Sequence, residues 1–258
     1  VEQGPTRNGK LGKGARMEKR IVALFDLHVP YQIELGPVWE FIGDFKPHNV
    51  ILGGDAHDFT SVSEWISDQS RALVGGTIIQ NFVELNKLVF LPLHSCAPKA
   101  KIIYLIGNHE DWLRQAIERN PNGKGFWELK RNLPNSLQIV PVNEAYHVNQ
   151  NLCYLHGLYT TKYHAFQTVH AVHKTVLYGH THDIQRYTDI SPVDVSKFYT
   201  GASCGCLCTL NPHYMKNKPN RWVNGFNYCY LDDKTEEFNE TQVYIVRNKF
   251  FALGRRYC

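Results

Sequence analysis

Lys101-Ile102-Ile103-Tyr104-Leu105-Ile106 runs directly into Gly107-Asn108-His109-Glu110, and a segment of amphipathic spacing follows from Asp111. An apolar run of that length, closed by Gly and polar residues, reads as a buried strand delivering side chains to its C-terminal edge, where open α/β sheets bind ligands. Asn offers a neutral oxygen to a cation, and the adjacent His can move a proton. The same residues equally suit a strand-to-helix turn with Glu110 near a helix N-terminus. The choice turns on whether ligand-type side chains occupy equivalent places elsewhere.

They do. Ile21-Val22-Ala23-Leu24-Phe25 ends in Asp26-Leu27-His28. Residues two apart on extended chain point the same way, so Asp26 and His28 can grip one ion together. Val50-Ile51-Leu52 runs into Gly53-Gly54-Asp55, and Leu35, Val38, Trp39 and Ile42 stand between the two runs at helical spacing. Strand, helix, strand predicts parallel pairing with a right-handed crossover, which places Asp26 and Asp55 at one edge of the sheet. Two carboxylates there repel unless a cation joins them. Further on, Leu152-Cys153-Tyr154-Leu155 ends in His156-Gly157, and Thr175-Val176-Leu177-Tyr178 ends in Gly179-His180-Thr181-His182. The His-x-His pair aims two imidazoles one way. His57 and Asp58, close behind Asp55, are read with Glu110 as outer hydrogen-bond partners of the ligands. His170 and His173 are read as surface or packing residues, and His48, His94, His147, His164 and His213 have no constellation around them.

Asp26, His28, Asp55, Asn108, His156, His180 and His182 thus all follow a buried strand within a few residues. Mixed carboxylate, amide and imidazole donors suit Mn foremost, or Fe or Zn, more than Ca or Mg, and the lack of thiolates among them argues against a structural zinc. Seven ligands exceed one tetrahedral site. They suffice for two divalent ions about 3.5–4 Å apart with a shared carboxylate, the usual machinery for displacement at phosphorus.

Taken in order, D-x-H, G-D, G-N-H-[DE], H and G-H-x-H resemble the pattern of the calcineurin-like metallophosphoesterases, over about Arg20 to Asp183. The resemblance implies an α/β fold of two mixed β-sheets packed face to face with flanking helices, an α/β/β/α sandwich. It implies that Asp26, His28 and His182 hold one ion, Asp55 bridges, and Asn108, His156 and His180 hold the other. His109 becomes the catalytic histidine, oriented by Asp58 or Glu110, and a metal-bridging hydroxide attacks phosphorus. Protein phosphatases of this superfamily carry G-D-x-x-D-R-G, whose arginine binds a phosphate dianion. Phe59-Thr60 stands here in place of Arg-Gly. Loss of that guanidinium favours a phosphodiester, on a nucleotide or nucleic acid, over a phosphomonoester. The monoesterase is the rival enzyme, and a metal-stabilised binding scaffold without catalysis is the third reading. The segment after His182, with Asn211-Pro212-His213-Tyr214, is similar to phage and bacterial members.

Composition sets the frame. The chain has 258 residues, 43% of them hydrophobic, enough for one substantial core. Residues 1–20 hold six Lys/Arg and two Glu, so the net charge of +4 lies there, and the remaining 22 basic and 22 acidic residues balance. Residues 1–19 are read as a flexible basic arm or an upstream extension, since Met17 precedes the first strand, and residues 20–258 as a single metallophosphoesterase domain. Seven cysteines without a framework fit reduced thiols, and no run spans a membrane, so a cytoplasmic protein with no membrane partner is expected. The oligomeric state is not legible.

Three further expectations follow from pattern. Ile78, Phe82, Leu85 and Val89 predict a helix ended by Pro92. Glu110 and Arg114 predict an i,i+4 pair. The β-branched and aromatic residues after Asp183 predict antiparallel strands of a second sheet, with Cys204, Cys206 and Cys208 as packed free thiols. Trp65, Phe126, Trp127 and Trp222 are candidates for a stacking groove, were the substrate a nucleic acid.

Overall fold

The computed structural model describes residues 18–63, 76–212 and 215–258. The first strand, β1 (Glu18–Leu24), lies parallel to β2 (Asn49–Leu52), β2 to β3 (Lys101–Leu105), and β3 to β4 (Gln138–Val140). Between β1 and β2 runs α1 (Gly36–Phe45), with Pro37 in its first turn. The long excursion from β2 to β3 carries α2 (Ile78–Leu85), a π-turn over Asn86–Phe90, and α3 (Leu91–Cys96). Pro92 therefore does not end the helical run. The π-turn shifts the register so that Pro92 falls in the first turn of α3, where its missing N–H is no loss.

After β3 come α4 (Asn108–Arg119) and the single turn α5 (Leu129–Asn132), and β5 (Tyr146–His147) then opens the second sheet. It pairs with β6 (Leu152–Leu155); α6 (His164–Val172) leads to β7 (Thr175–Tyr178), and β8 (Arg186–Ile190) and β9 (Phe198–Ser203) complete the sheet in the order β5-β6-β7-β9-β8. The segment after Asp183 does not stay in that sheet. Its later strands, β10 (Gly225–Asp232) and β11 (Phe238–Tyr244), return to the first, giving β11-β10-β1-β2-β3-β4. β10 lies antiparallel on the free edge of β1, with Glu18 opposite Asp232. The chain ends in a hairpin of β12 (Phe250–Ala252) and β13 (Arg255–Tyr257).

Alternation along the strands sorts the layers. Ile21, Ala23, Ile51, Ile103 and Leu105 face Leu152, Tyr154, Leu177 and Ala202 across the space between the sheets. Val22, Leu24, Val50, Leu52 and Tyr104 face the other way, onto α1, α2 and α4. Cys153, Leu155, Val176 and Tyr178 face outward from the second sheet, with Val172 of α6 packed on them. Helices, sheet, sheet and helix make the expected two-sheet α/β sandwich. Because both faces of each central strand are covered, those strands read as unbroken apolar runs. No helix among the described residues is long and apolar enough to cross a membrane.

Candidate metal centre

The parallel strands β1, β2 and β3 of the first sheet and β6 and β7 of the second end at one rim, and the loops that follow gather all seven ligand candidates there. Asp26, His28, Asp55, His156 and His182 are buried, while Asn108 and His180 are partly exposed. Asp26, His28, Asp55, His180 and His182 have φ between 47° and 69°, the left-handed region that L-residues seldom adopt. Strain of about 1–3 kcal/mol per residue persists only where surrounding structure enforces it, and functional sites are where it collects.

Each aspartate divides its labour. Asp26 Oδ2 accepts the backbone N–H of His180 at 2.8 Å. Its Oδ1 is fully buried, has no hydrogen-bond partner, and faces His182 Nε2 at 3.5 Å and His28 Nε2 at 4.0 Å. Asp55 Oδ1 accepts from the backbone N–H of His109 at 2.9 Å. Its Oδ2 faces His156 Nε2 at 3.3 Å, His109 Nε2 at 3.8 Å and His28 Nε2 at 3.9 Å. One oxygen of each carboxylate pins backbone; the other is turned inward.

The imidazoles are committed in the same sense. His156 Nδ1 lies 2.9 Å from the carbonyl oxygen of Gly53, which can only accept, so Nδ1 carries the hydrogen and Nε2 of the neutral ring presents a lone pair. That lone pair meets Asn108 Oδ1 at 3.1 Å. His28 Nδ1 donates to Asp58 Oδ1 at 3.0 Å, and its Nε2 meets His182 Nε2 at 3.1 Å. Acceptor set against acceptor, beside a buried oxygen with no donor, is an arrangement that a cation completes. Asp26, His28 and His182 form one close group, and Asp55, His156 and His180 another, each able to hold a metal ion.

Charge follows the geometry. Burial opposes ionisation of Asp55, but His156, His109 and His28 around it hold the carboxyl well below its usual range. Burial likewise opposes protonation of His28, and the Asp58 hydrogen bond with the charges of Asp55, Asp58 and Asp26 outweighs it, raising His28 to about 9. His156 is raised to about 10, against burial, chiefly by Asp55. In the metal-free chain protons take the places that fit cations. Burial pushes His109 down from its ordinary value, so that ring is neutral.

The three outer candidates fare differently. Asp58 orients His28 through its side chain, and its carbonyl oxygen accepts from His109 Nδ1 at 2.7 Å. Glu110 does not touch His109. Fully buried, it accepts from the Tyr104 hydroxyl (2.7 Å) and from the backbone N–H of Asp55 (2.8 Å), Ala56 (2.9 Å) and Gly107 (3.0 Å), clamping the Asp55 loop onto α4. Its expected partner Arg114 pairs with Asp111 and Glu118 instead, on the exposed face. His57 is turned away from the ligands; its Nδ1 accepts from Phe59 N–H at 2.8 Å and its Nε2 lies 3.3 Å from Glu84.

Other aromatic and polar side chains surround the ligands. Trp112 packs on His109 at a tilt of 38°, with 3.9 Å between ring centres, one helical turn on, a spacing that could have suggested it. His164 is buried, with Nδ1 2.6 Å from the Tyr178 hydroxyl and Nε2 3.1 Å from Asp183, behind the His-x-His turn. Trp222 packs edgewise on His182 at 4.2 Å. Of the other stacking candidates, Phe126 is exposed, Trp127 packs against the core, and Trp65 lies outside the described residues. A pocket of about 310 Å³ beside His180 is lined by Lys162, Arg221, Trp222, Thr160 and Thr161 among others. A larger hollow of about 540 Å³ beside Arg20, Phe45 and Tyr230 is lined by neither histidine nor cysteine.

Fold and site together define a two-sheet α/β sandwich with a carboxylate–imidazole cluster, able to hold metal, at the ends of its parallel strands. Solved structures similar to it include a Vps29 variant from Entamoeba histolytica (11% identity, TM-score 0.46, covering 92% of this chain and 97% of that one). A predicted phosphoesterase from Streptococcus pneumoniae is similar at 12% identity and TM-score 0.38, over 93% of this chain and 95% of its own. A serine/threonine phosphatase from Saccharomyces cerevisiae follows at 10% and 0.35, over 89% and 81%. No protein-family model and no curated protein matches the chain. Likeness at these TM-scores leaves the function to be read from the side chains.

Proposed function

We propose that the chain is a metal-dependent phosphoesterase of the calcineurin-like kind, working with two divalent ions, Mn foremost. The observation that carries this is Asp55 Oδ2, which faces both the His28 and His156 sides of the cluster while the nearby Asp26 Oδ1 is buried without a partner. Asp26, His28 and His182 would hold one ion, Asn108, His156 and His180 the other, and Asp55 both. Bound there, the ions would supply Lewis acidity toward the phosphoryl oxygens and a water activated for attack at phosphorus.

The remaining work falls to the chain. Asp58 keeps the His28 hydrogen on Nδ1, and the Gly53 carbonyl does the same for His156, so both Nε2 lone pairs face inward. His109 donates Nδ1–H to the Asp58 carbonyl and packs on Trp112, which holds its Nε2 beside Asp55 Oδ2. An arriving anionic phosphoryl group favours the protonated ring, and Nε2–H can then be given to the leaving oxygen.

A diester is favoured over a monoester. Phe59, where the phosphatase pattern has arginine, is fully buried against His57 and Phe82 and cannot meet a phosphate. Cationic side chains stand instead in the pocket beside His180, where Lys162 and Arg221 with Trp222 suit a flanking phosphate and base of a nucleotide or nucleic acid. Turnover of bis-p-nitrophenyl phosphate against p-nitrophenyl phosphate under Mn tests the reading. Faster diester turnover is expected; a strong monoester preference would sink the diesterase, and no turnover of either by metal-loaded protein would sink the phosphoesterase.

A further inference from the structure

The cysteines after β9 are buried free thiols, as expected, and two of them stand beside a metal-ligand candidate. Gly205, with φ +75°, kinks the chain after Cys204, so that Cys204 joins the packing between the sheets while Cys206 and Cys208 turn toward the rim. Cys208 Sγ lies 3.9 Å from Nδ1 of His182, the ring nitrogen opposite the one that faces Asp26 and His28. Cys206 Sγ, Cys208 Sγ and a ring nitrogen of His182, three buried residues, all lie within 4.8 Å of one another. A tetrahedral ion bonded at 2.3 Å to sulfur and 2.0–2.1 Å to nitrogen sets its donors about 3.6–3.8 Å apart, and the Cys208–His182 separation of 3.9 Å is close to that.

One side chain braces the turn and reaches the sulfur. Asn224 Nδ2 donates to the carbonyl oxygens of Cys208 (2.7 Å) and Cys206 (3.2 Å), fixing the turn, and lies 3.7 Å from Cys206 Sγ. That amide offers a hydrogen to a thiolate, as a carboxylate or carbonyl partner does for a metal-bound imidazole. Two sulfurs and one imidazole nitrogen select thiophilic cations, such as Zn, Cd or Cu(I), over the harder ions that suit the oxygen-rich side.

We infer that Cys206, Cys208 and His182 Nδ1 form a binding site for a thiophilic cation, which competes with the carboxylate–imidazole centre for His182. Binding releases the two thiol protons to solvent and changes no oxidation state. A neutral imidazole has one lone pair. Spent on the sulfur side at Nδ1, it leaves Nε2 as N–H, a donor that can no longer serve as a ligand beside Asp26. The sulfur site itself does not depend on the chain hydrolysing anything.

Titration of the whole chain with Co(II) reads the site directly. Wild type is expected to develop a sulfur-to-cobalt charge-transfer band in the near ultraviolet, retained in Cys96→Ser and lost in Cys206→Ser/Cys208→Ser. No band in wild type, or an undiminished band in the double variant, overturns the site. Should the double variant fold poorly, X-ray absorption of the Zn-loaded wild type decides: two sulfurs at about 2.3 Å support the site, and an oxygen and nitrogen shell alone overturns it. Competition is read by adding Cd to Mn-loaded protein. Release of Mn in wild type but not in the double variant is expected, and Cd uptake by the sulfurs without Mn release overturns the competition.

Discussion

Asp55 and Asp26 each place one oxygen on a backbone N–H and leave the other facing imidazole nitrogens, and most of what the site can do follows from that division. At this scale the roles separate cleanly by substitution. His109→Ala should retain bound metal yet lose turnover about 10²-fold or more, read by metal analysis beside a phosphoester assay. Asp58→Ala should instead weaken metal binding about 10–100-fold, because His28 loses the partner that fixes its tautomer; unchanged affinity in a Mn titration would count against that role. Glu110→Gln should destabilise the fold by about 1–3 kcal/mol in urea unfolding, since an amide N–H would face a donor in a cluster of four. The identities and places of the ligand candidates were legible because each ends a buried run. The task of Glu110 was not, because its partners lie on a loop more than fifty residues earlier, which local spacing cannot reveal.

Strands bring these side chains to one rim, but the turns after them aim the side chains, and glycines in those turns allow the close approach. A Cβ on Gly54, where φ is +94°, would lie 2.5 Å from His156 Nδ1, and one on Gly107 would lie 2.2 Å from Asp55 Oδ1. Gly54→Ala should therefore cost about 1–3 kcal/mol of stability and displace His156 from its carbonyl, lowering metal affinity as well. Thermal unfolding with and without Mn checks both effects, and a variant with wild-type affinity would show that the close approach is dispensable. Parallel units were the most readable elements, since full burial writes them as apolar runs. Pro92 misled because a π-turn before it resets the helical register, and β10 misled because alternation marks a strand without saying which sheet edge is free.

Across the whole molecule, the centre couples folding to metal and pH. With His28 raised to about 9 and His156 to about 10 in the metal-free chain, their protonated forms contribute stability that is full below the ordinary histidine value near 6.5. That contribution is lost as pH rises through about 9 and 10. Chelator-treated protein should thus melt progressively lower from pH 6.5 upward, whereas metal-loaded protein, whose ions replace those protons, should not follow the same slope. Metal uptake at neutral pH should release protons, measurable in weakly buffered solution. Five buried runs were legible as strands and the resemblance carried by their ends implied the two-sheet sandwich, while the outer hydrogen bonds and the sulfur face of His182 became visible only once distant loops were placed together. The proposed site is built on Asp55 and would turn over phosphoesters when two ions are bound. Its most direct measurement is the hydrolysis of bis-p-nitrophenyl phosphate by chelator-stripped protein as Mn is returned, for wild type and Asp55→Asn. No turnover is expected without metal, with activity rising to a plateau at two ions per chain and an Asp55→Asn variant that neither retains both ions nor recovers. Turnover by the stripped chain, or an Asp55→Asn variant that holds both ions and hydrolyses at the wild-type rate, would contradict it.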